Sequence, residues 1–87
     1  MNFTNERALL LKIRNKHELS QGQLAKMIGL IAQNISNTER GKAGLAAKRW
    51  AKMVELNLVT IDEVKESLIG DFTANLYNEL TRGLEWL

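Results

Sequence analysis

The chain of 87 residues has no cysteine, no proline and a single histidine. Without cysteine, neither a disulfide framework nor a thiolate metal site can form. A lone imidazole, His17, cannot build a His-based metal site, and it has no Ser or Cys nucleophile context, so it reads as a surface or boundary residue. The absence of proline removes the strongest helix breaker, and the glycines stand singly between periodic segments, which suits an all-helical chain with short connections. No apolar run approaches the roughly 20 residues of a membrane span, and no basic-then-apolar leader follows Met1. A soluble, unexported protein is therefore expected, with the cytoplasm as its compartment. No nucleophile, base and orienting group fall together and no phosphate-cradling glycine loop is present, so an enzyme is not expected; neither is a cofactor or a metal.

What is present is the composition of one small globular domain: 45% hydrophobic and 25% charged residues, too apolar for disorder. At this length the core is near the lower limit of self-sufficiency, so oligomerisation is a reasonable support. The net charge is only +2, but it is unevenly placed. Residues 1–52 carry ten Lys or Arg against three acids, leaving +7, and residues 53–87 carry two against seven, leaving −5. A basic front suits a polyanion and an acidic back suits something else.

The periodicity predicts five to six short helices in a compact all-α bundle. Residues 4–17 place Ala8, Leu9, Leu10, Leu11 and Ile13 on a broad apolar face, with Thr4 or Asn5 as N-cap. Ser20 and Gln23 make a capping box, and Leu19 with Leu24 a hydrophobic staple, at the start of a helix over 21–28 that Gly29 ends. A further helix runs from residue 31 or 32 to 39 or 40. Its inward side is expected to be Ile31, Ile35 and Thr38, while Gln33, Ser36, Asn37 and Arg40 form a second stripe at i, i+3, i+4, i+7. Apart from Arg40 that stripe is short, polar and uncharged. Asn and Ser are weaker helix formers than the Lys and Glu of an ordinary solvated face, so another demand is inferred to have placed them there. Gly41 and Gly44 bracket a turn with Lys42 at its tip. A helix over 45–56 puts Trp50 in the core as an anchor, and Asn57 closes it. Thr60 and Glu63 make a second capping box before a helix over 61–69, and Gly70 breaks the pattern. A last helix over about 71–85 then presents Phe72, Leu76, Leu80 and Leu84 at successive i+4 steps, with Trp86 alongside. Such a stripe either folds back on its own core or pairs with a second copy, and pairing is the favoured expectation.

Leu19, Ser20, Gln21, Leu24, Ala25, Ile28, Gly29, Ile35, Glu39, Gly41 and Lys42, with Arg14 upstream, resemble the helix-turn-helix regulators of the lambda repressor and Cro type. The match is specific, because a small Ala, a turn Gly and an Ile fall at the right separations within one capping-box context. It covers residues 10–68. Ile31 stands where the family usually has a polar cap, and Thr38 where it has an apolar residue. The resemblance implies a lambda-repressor-like fold with the helix-turn-helix at the second and third helices. It also implies a partly buried structural ion pair between Arg14 and Glu39, and a major-groove recognition helix.

On that basis Gln33 and Asn37 are expected to be the main base readers, pairing with adenine through N6 and N7. Ser36 would reach either kind of base edge, Ala32 a thymine methyl. Gln21 resembles the family's phosphate clamp, and Asn34, Arg40, Lys42, Lys48 and Arg49 are expected to add phosphate contacts. The single chain is expected to divide into a DNA-binding core, residues 1–69, and a C-terminal helix, residues 70–87. That helix would dimerise through Phe72, Leu76, Leu80, Leu84 and Trp86. The expected function is a dimeric repressor on a near-palindromic operator of double-stranded DNA. The alternative is an antitoxin-type interaction protein whose acidic C-terminal third binds a partner protein, with DNA binding for autoregulation.

Overall fold

The structure is a computed structural model that describes residues 4–68, and five helices account for most of them: α1 Thr4–His17, α2 Gln21–Met27, α3 Ala32–Glu39, α4 Ala47–Glu55 and α5 Ile61–Leu68. The described residues contain no strand. The sixth helix expected beyond residue 70, with Phe72, Leu76, Leu80, Leu84 and Trp86, lies outside the described residues.

Helices α2 and α5 begin where side chains hold their first amides. Ser20 Oγ accepts from the Gln23 amide at 3.0 Å, and Gln23 Oε1 accepts from the Ser20 amide at 2.8 Å, which closes the capping box of α2. Thr60 and Glu63 repeat the arrangement at α5, with 3.1 Å from the Glu63 amide to Thr60 Oγ1. The Thr60 amide and hydroxyl, both donating to Glu63, hold that carboxyl below its ordinary pKa. Thr4 and Asn5, the cap candidates of α1, form the first turn of the helix as described.

One backbone device ends the first four helices. In each, an amide reaches back to the carbonyl five residues earlier: Leu19 to Arg14, Leu30 to Ala25, Lys42 to Asn37 and Leu58 to Met53. Each time the residue before that amide is left-handed: Glu18 (φ 54), Gly29 (φ 77), Gly41 (φ 74) and Asn57 (φ 61). This is the Schellman closure, and glycine and asparagine suit it because the left-handed region costs them least. Glu18 is the exception; nothing in its side chain favours that conformation.

The core draws on every helix. Leu10, Leu24, Ile35, Trp50, Met53, Val64 and Leu68 are completely buried, and Leu9, Ile13, Ala25 and Ile28 nearly so. Ala8, expected on the apolar face of α1, is exposed. Its place on that face is taken by Glu6, which lies at i, i+3, i+4, i+7 with Leu9, Leu10 and Ile13 and is fully buried. Glu6 Oε1 accepts from the Leu45 amide at 2.9 Å and from Trp50 Nε1 at 3.0 Å. Helix α4 starts at Ala47 rather than at Leu45, because Ala46 stays extended (φ −62, ψ 149). Leu45 is buried as expected, but from the loop.

Helix α3 corrects a second expectation. Ile35 and Thr38 are buried as predicted, with the Thr38 hydroxyl donating to the Asn34 carbonyl at 3.1 Å, so its polar atom enters the core satisfied. Ile31, by contrast, is 66% exposed. It is the N-cap of α3, in extended backbone (φ −112, ψ 161), and the helical spacing that would align it with Ile35 does not yet apply there.

Candidate nucleic-acid interface

Helices α2 and α3 pack directly on one another, and α3 also rests on α1. Leu24 and Ala25 of α2 and Ile35 of α3 are buried between them, and the small Ala25 side chain permits the close approach. Gly29 turns the corner, where its left-handed backbone favours glycine and a side chain would displace the end of Arg49. Its φ is +77°, and a Cβ would lie 2.9 Å from Arg49 Nη1. That guanidinium nitrogen donates to the Ile28 carbonyl at 2.8 Å, so Arg49 holds the end of α2 from α4.

The base of α3 is clamped by an ionic cluster. Arg14 donates to Glu39 in bidentate fashion, from Nε to Oε2 and from Nη2 to Oε1 (2.8 Å for the latter). Arg14 Nη1 donates to the Leu19 carbonyl at 2.9 Å. The Glu39 side chain is 8% exposed and that of Arg14 20%. Burial pushes the Glu39 carboxyl up, but the hydrogen bonds from Arg14 and Gln21 and the charge of Arg14 outweigh it and hold the group below its ordinary value. The hydrogen bond to Glu39 raises the Arg14 guanidinium in turn. Arg7 Nε donates to the Glu39 carbonyl at 2.7 Å, so two arginines of α1 grip the end of α3.

With one side of α3 thus held, the other faces outward. Ala32 and Gln33 are exposed, and Ser36 and Asn37 are half-buried. Gln33 Nε2 donates to Asn37 Oδ1 at 2.9 Å, which joins the two expected base readers into one unit. The Asn37 amide NH2 and the Gln33 carbonyl oxygen keep their outward capacity, so the pair still offers donors and an acceptor to a base edge.

The expected phosphate contacts are placed unequally. Lys42 and Lys48 are exposed, and Arg40 is the exposed C-cap of α3. Gln21 Nε2 donates to Glu39 Oε1 at 3.0 Å, so one of its amide hydrogens serves the clamp. Asn34 Oδ1 accepts from the Ile31 amide at 3.1 Å and thereby caps α3. Asn34, Asn37, Lys48 and Arg49 line one cleft of about 220 Å³ between α3, the 43–46 loop and the start of α4. Arg14 and Glu39 take no part in lining that cleft.

Three residues of structural consequence escape a reading of motifs alone. Glu6 was legible in principle, because it falls on the apolar stripe of α1. Arg7 and the anchoring role of Arg49 were not, since each meets a carbonyl from a distant segment. Among the described residues no cluster of His, Cys, Asp or Glu is suited to a metal ion, and no helix is long and apolar enough to cross a membrane.

A short buttressed helix that turns a polar, uncharged face outward, with cations around it, defines a DNA-binding regulator of the helix-turn-helix class. The chain belongs to the lambda repressor/Cro-like helix-turn-helix family, which matches residues 10–64. This is a family of DNA-binding transcription regulators, and the all-α architecture fits its fold. No curated protein and no solved structure matches the chain.

Proposed function

We propose that the protein is a dimeric, sequence-specific repressor that reads a near-palindromic operator through the major groove. The observation that carries this reading is the outward face of α3, where Gln33 and Asn37 are joined at 2.9 Å on a helix pinned by buried Ile35 and Thr38. Gln33 and Asn37 read bases, with Ser36 and Ala32 beside them, and a good bidentate contact discriminates by roughly 1–3 kcal/mol. Lys42, Lys48, Arg40 and the free capacity of Gln21, Asn34 and Arg49 position the duplex through phosphates. One helix spans only a few base pairs, so two copies give useful specificity. The apolar stripe Phe72, Leu76, Leu80 and Leu84, with Trp86, is the proposed dimer surface, and the cytoplasm the proposed compartment.

Selection of bound duplexes from a random pool tests the reading. The expected product is a pair of half-sites related by near two-fold symmetry. Asn37→Ala should then relax the selected sequence, whereas Lys48→Ala should weaken all duplexes alike and reduce the salt slope by about 1. Equal losses on specific and random duplex for Asn37→Ala would overturn the base-reading assignment. The −5 balance of residues 53–87 favours one further role, an acidic surface for a protein partner. Co-purification with neighbouring gene products tests it, and recovery of a lone homodimer argues against it.

A further inference from the structure

Ile31 is the most exposed large apolar side chain among the described residues, 66% open against 39% for Met27. Its position makes that choice unusual. At an N-cap, Ser, Thr, Asn or Asp accepts an amide that the helix leaves orphaned, and Ile has no acceptor to offer. The structure shows the consequence: α3 has no side-chain cap bond from residue 31, and the turn is held instead by the Ile31 amide donating to Asn34 Oδ1 and by the Asn34 amide donating to the Ile31 carbonyl at 3.0 Å. The extended backbone keeps the side chain out of the core that Ile35 and Thr38 enter. Ala32 and Gln33 follow it directly, both exposed, at the N-terminal end of the helix. In helix-turn-helix docking that end carries the residues that contact base edges.

We infer that Ile31 is a specificity-determining contact that reads thymine through its C5-methyl group. The inference rests on α3 being the recognition helix, as proposed above. On the major-groove edge of the base pairs, the donors and acceptors of all four bases find partners among polar side chains, and the thymine methyl alone asks for an apolar one. The side chain of Ile31 has no donor or acceptor with which to compensate a buried polar edge. It therefore favours thymine over every other base at the position it covers. Burying one methyl against it corresponds to about a fourfold change in affinity.

The test uses the full chain and the duplex it selects from a random pool. Each thymine of that duplex is replaced in turn by deoxyuridine, which lacks only the methyl, and binding is measured at fixed salt for the native protein, Ile31→Val and Ile31→Ser. One thymine in each half-site should show a loss of about fourfold for the native protein, a smaller loss for Ile31→Val and none for Ile31→Ser. Serine restores a capping side chain, so the variant keeps α3 folded and a lost methyl preference cannot be ascribed to unfolding. Identical uridine penalties in the native protein and Ile31→Ser would overturn the inference while leaving the recognition helix intact. So would an Ile31→Ser variant that weakens all duplexes uniformly. A native protein that selects no sequence at all would overturn the recognition helix itself, and this inference with it.

Discussion

Replacing Glu39 by Gln addresses the cluster that binds α3 to α1. In the folded protein its carboxylate accepts from Arg14 Nε, Arg14 Nη2 and Gln21 Nε2. An amide keeps one acceptor oxygen but turns N–H groups toward the guanidinium, so at least one Arg14 N–H loses its partner and the pair loses its opposite charge. A hydrogen bond to a charged group contributes about 1.5–3 kcal/mol. A fully exposed pair would be worth under about 1 kcal/mol, and breaking a fully buried one would cost about 3–5 kcal/mol. Glu39 is 8% exposed and Arg14 20%, and Arg14 retains its bond to the Leu19 carbonyl. The case is intermediate, so the expected loss is about 2 kcal/mol, or roughly 8–16 °C in Tm for a domain of this size.

The same substitution has a pH signature. The folded carboxyl lies below the ordinary value of 4.5, so on acidification the unfolded chain takes up a proton before the folded one does. Stabilisation from this group is thus complete above about pH 4.5 and fades as the pH falls through the lower folded value. Native protein and Glu39→Gln should differ by about 2 kcal/mol at neutral pH and converge in acid. Urea unfolding followed by far-ultraviolet circular dichroism at a series of pH values measures both. A neutral-pH gap below about 0.5 kcal/mol, or one that persists unchanged into acid, would refute the argument.

Four other substitutions separate backbone from side-chain effects. Gly29→Ala and Gly41→Ala impose the same left-handed cost, about 1–2 kcal/mol, but an alanine methyl at 29 also meets Arg49 Nη1 at 2.9 Å whereas nothing lies within 4 Å at 41. Thermal unfolding should therefore find the former worse by about 1 kcal/mol, through the weakened Arg49 bond to Ile28. Gly22→Ala places a methyl on an exposed turn of α2 where only Ser20 Oγ lies near, at 4.0 Å. It should stabilise by about 0.5–1 kcal/mol, and a lower Tm would contradict the open space at that position. Glu6→Leu strands two buried donors, the Leu45 amide and Trp50 Nε1, at about 1–3 kcal/mol each. A loss under about 1 kcal/mol in chemical denaturation would show that they find other partners.

The course of the chain from residue 19 to 42 was almost entirely legible in the sequence, and the physics is local. A capping box, a staple and a left-handed glycine act within five residues of themselves, so Ser20, Gln23 and Gly29 announce the helix-turn-helix whatever surrounds them. The outward stripe Gln33, Ser36 and Asn37 was legible for the same reason, since helical spacing alone groups those residues. Ile31 was misread because periodicity was extended one residue past the point where the backbone becomes helical; an extended N-cap sends its side chain elsewhere.

What tertiary structure alone decided are the bonds between distant segments. A glutamate on an apolar stripe becomes a buried acceptor only because the fold brings Trp50 and the Leu45 amide to it. Arg49 looks like one more basic residue beside Lys48 until the fold brings the Ile28 carbonyl within 2.8 Å of it. Gln21 likewise carries a duty to Glu39 that its residue type does not disclose. Charge and spacing identify the helix proposed to face DNA; which of its cations and amides are free to act there depends on what the rest of the fold has already engaged.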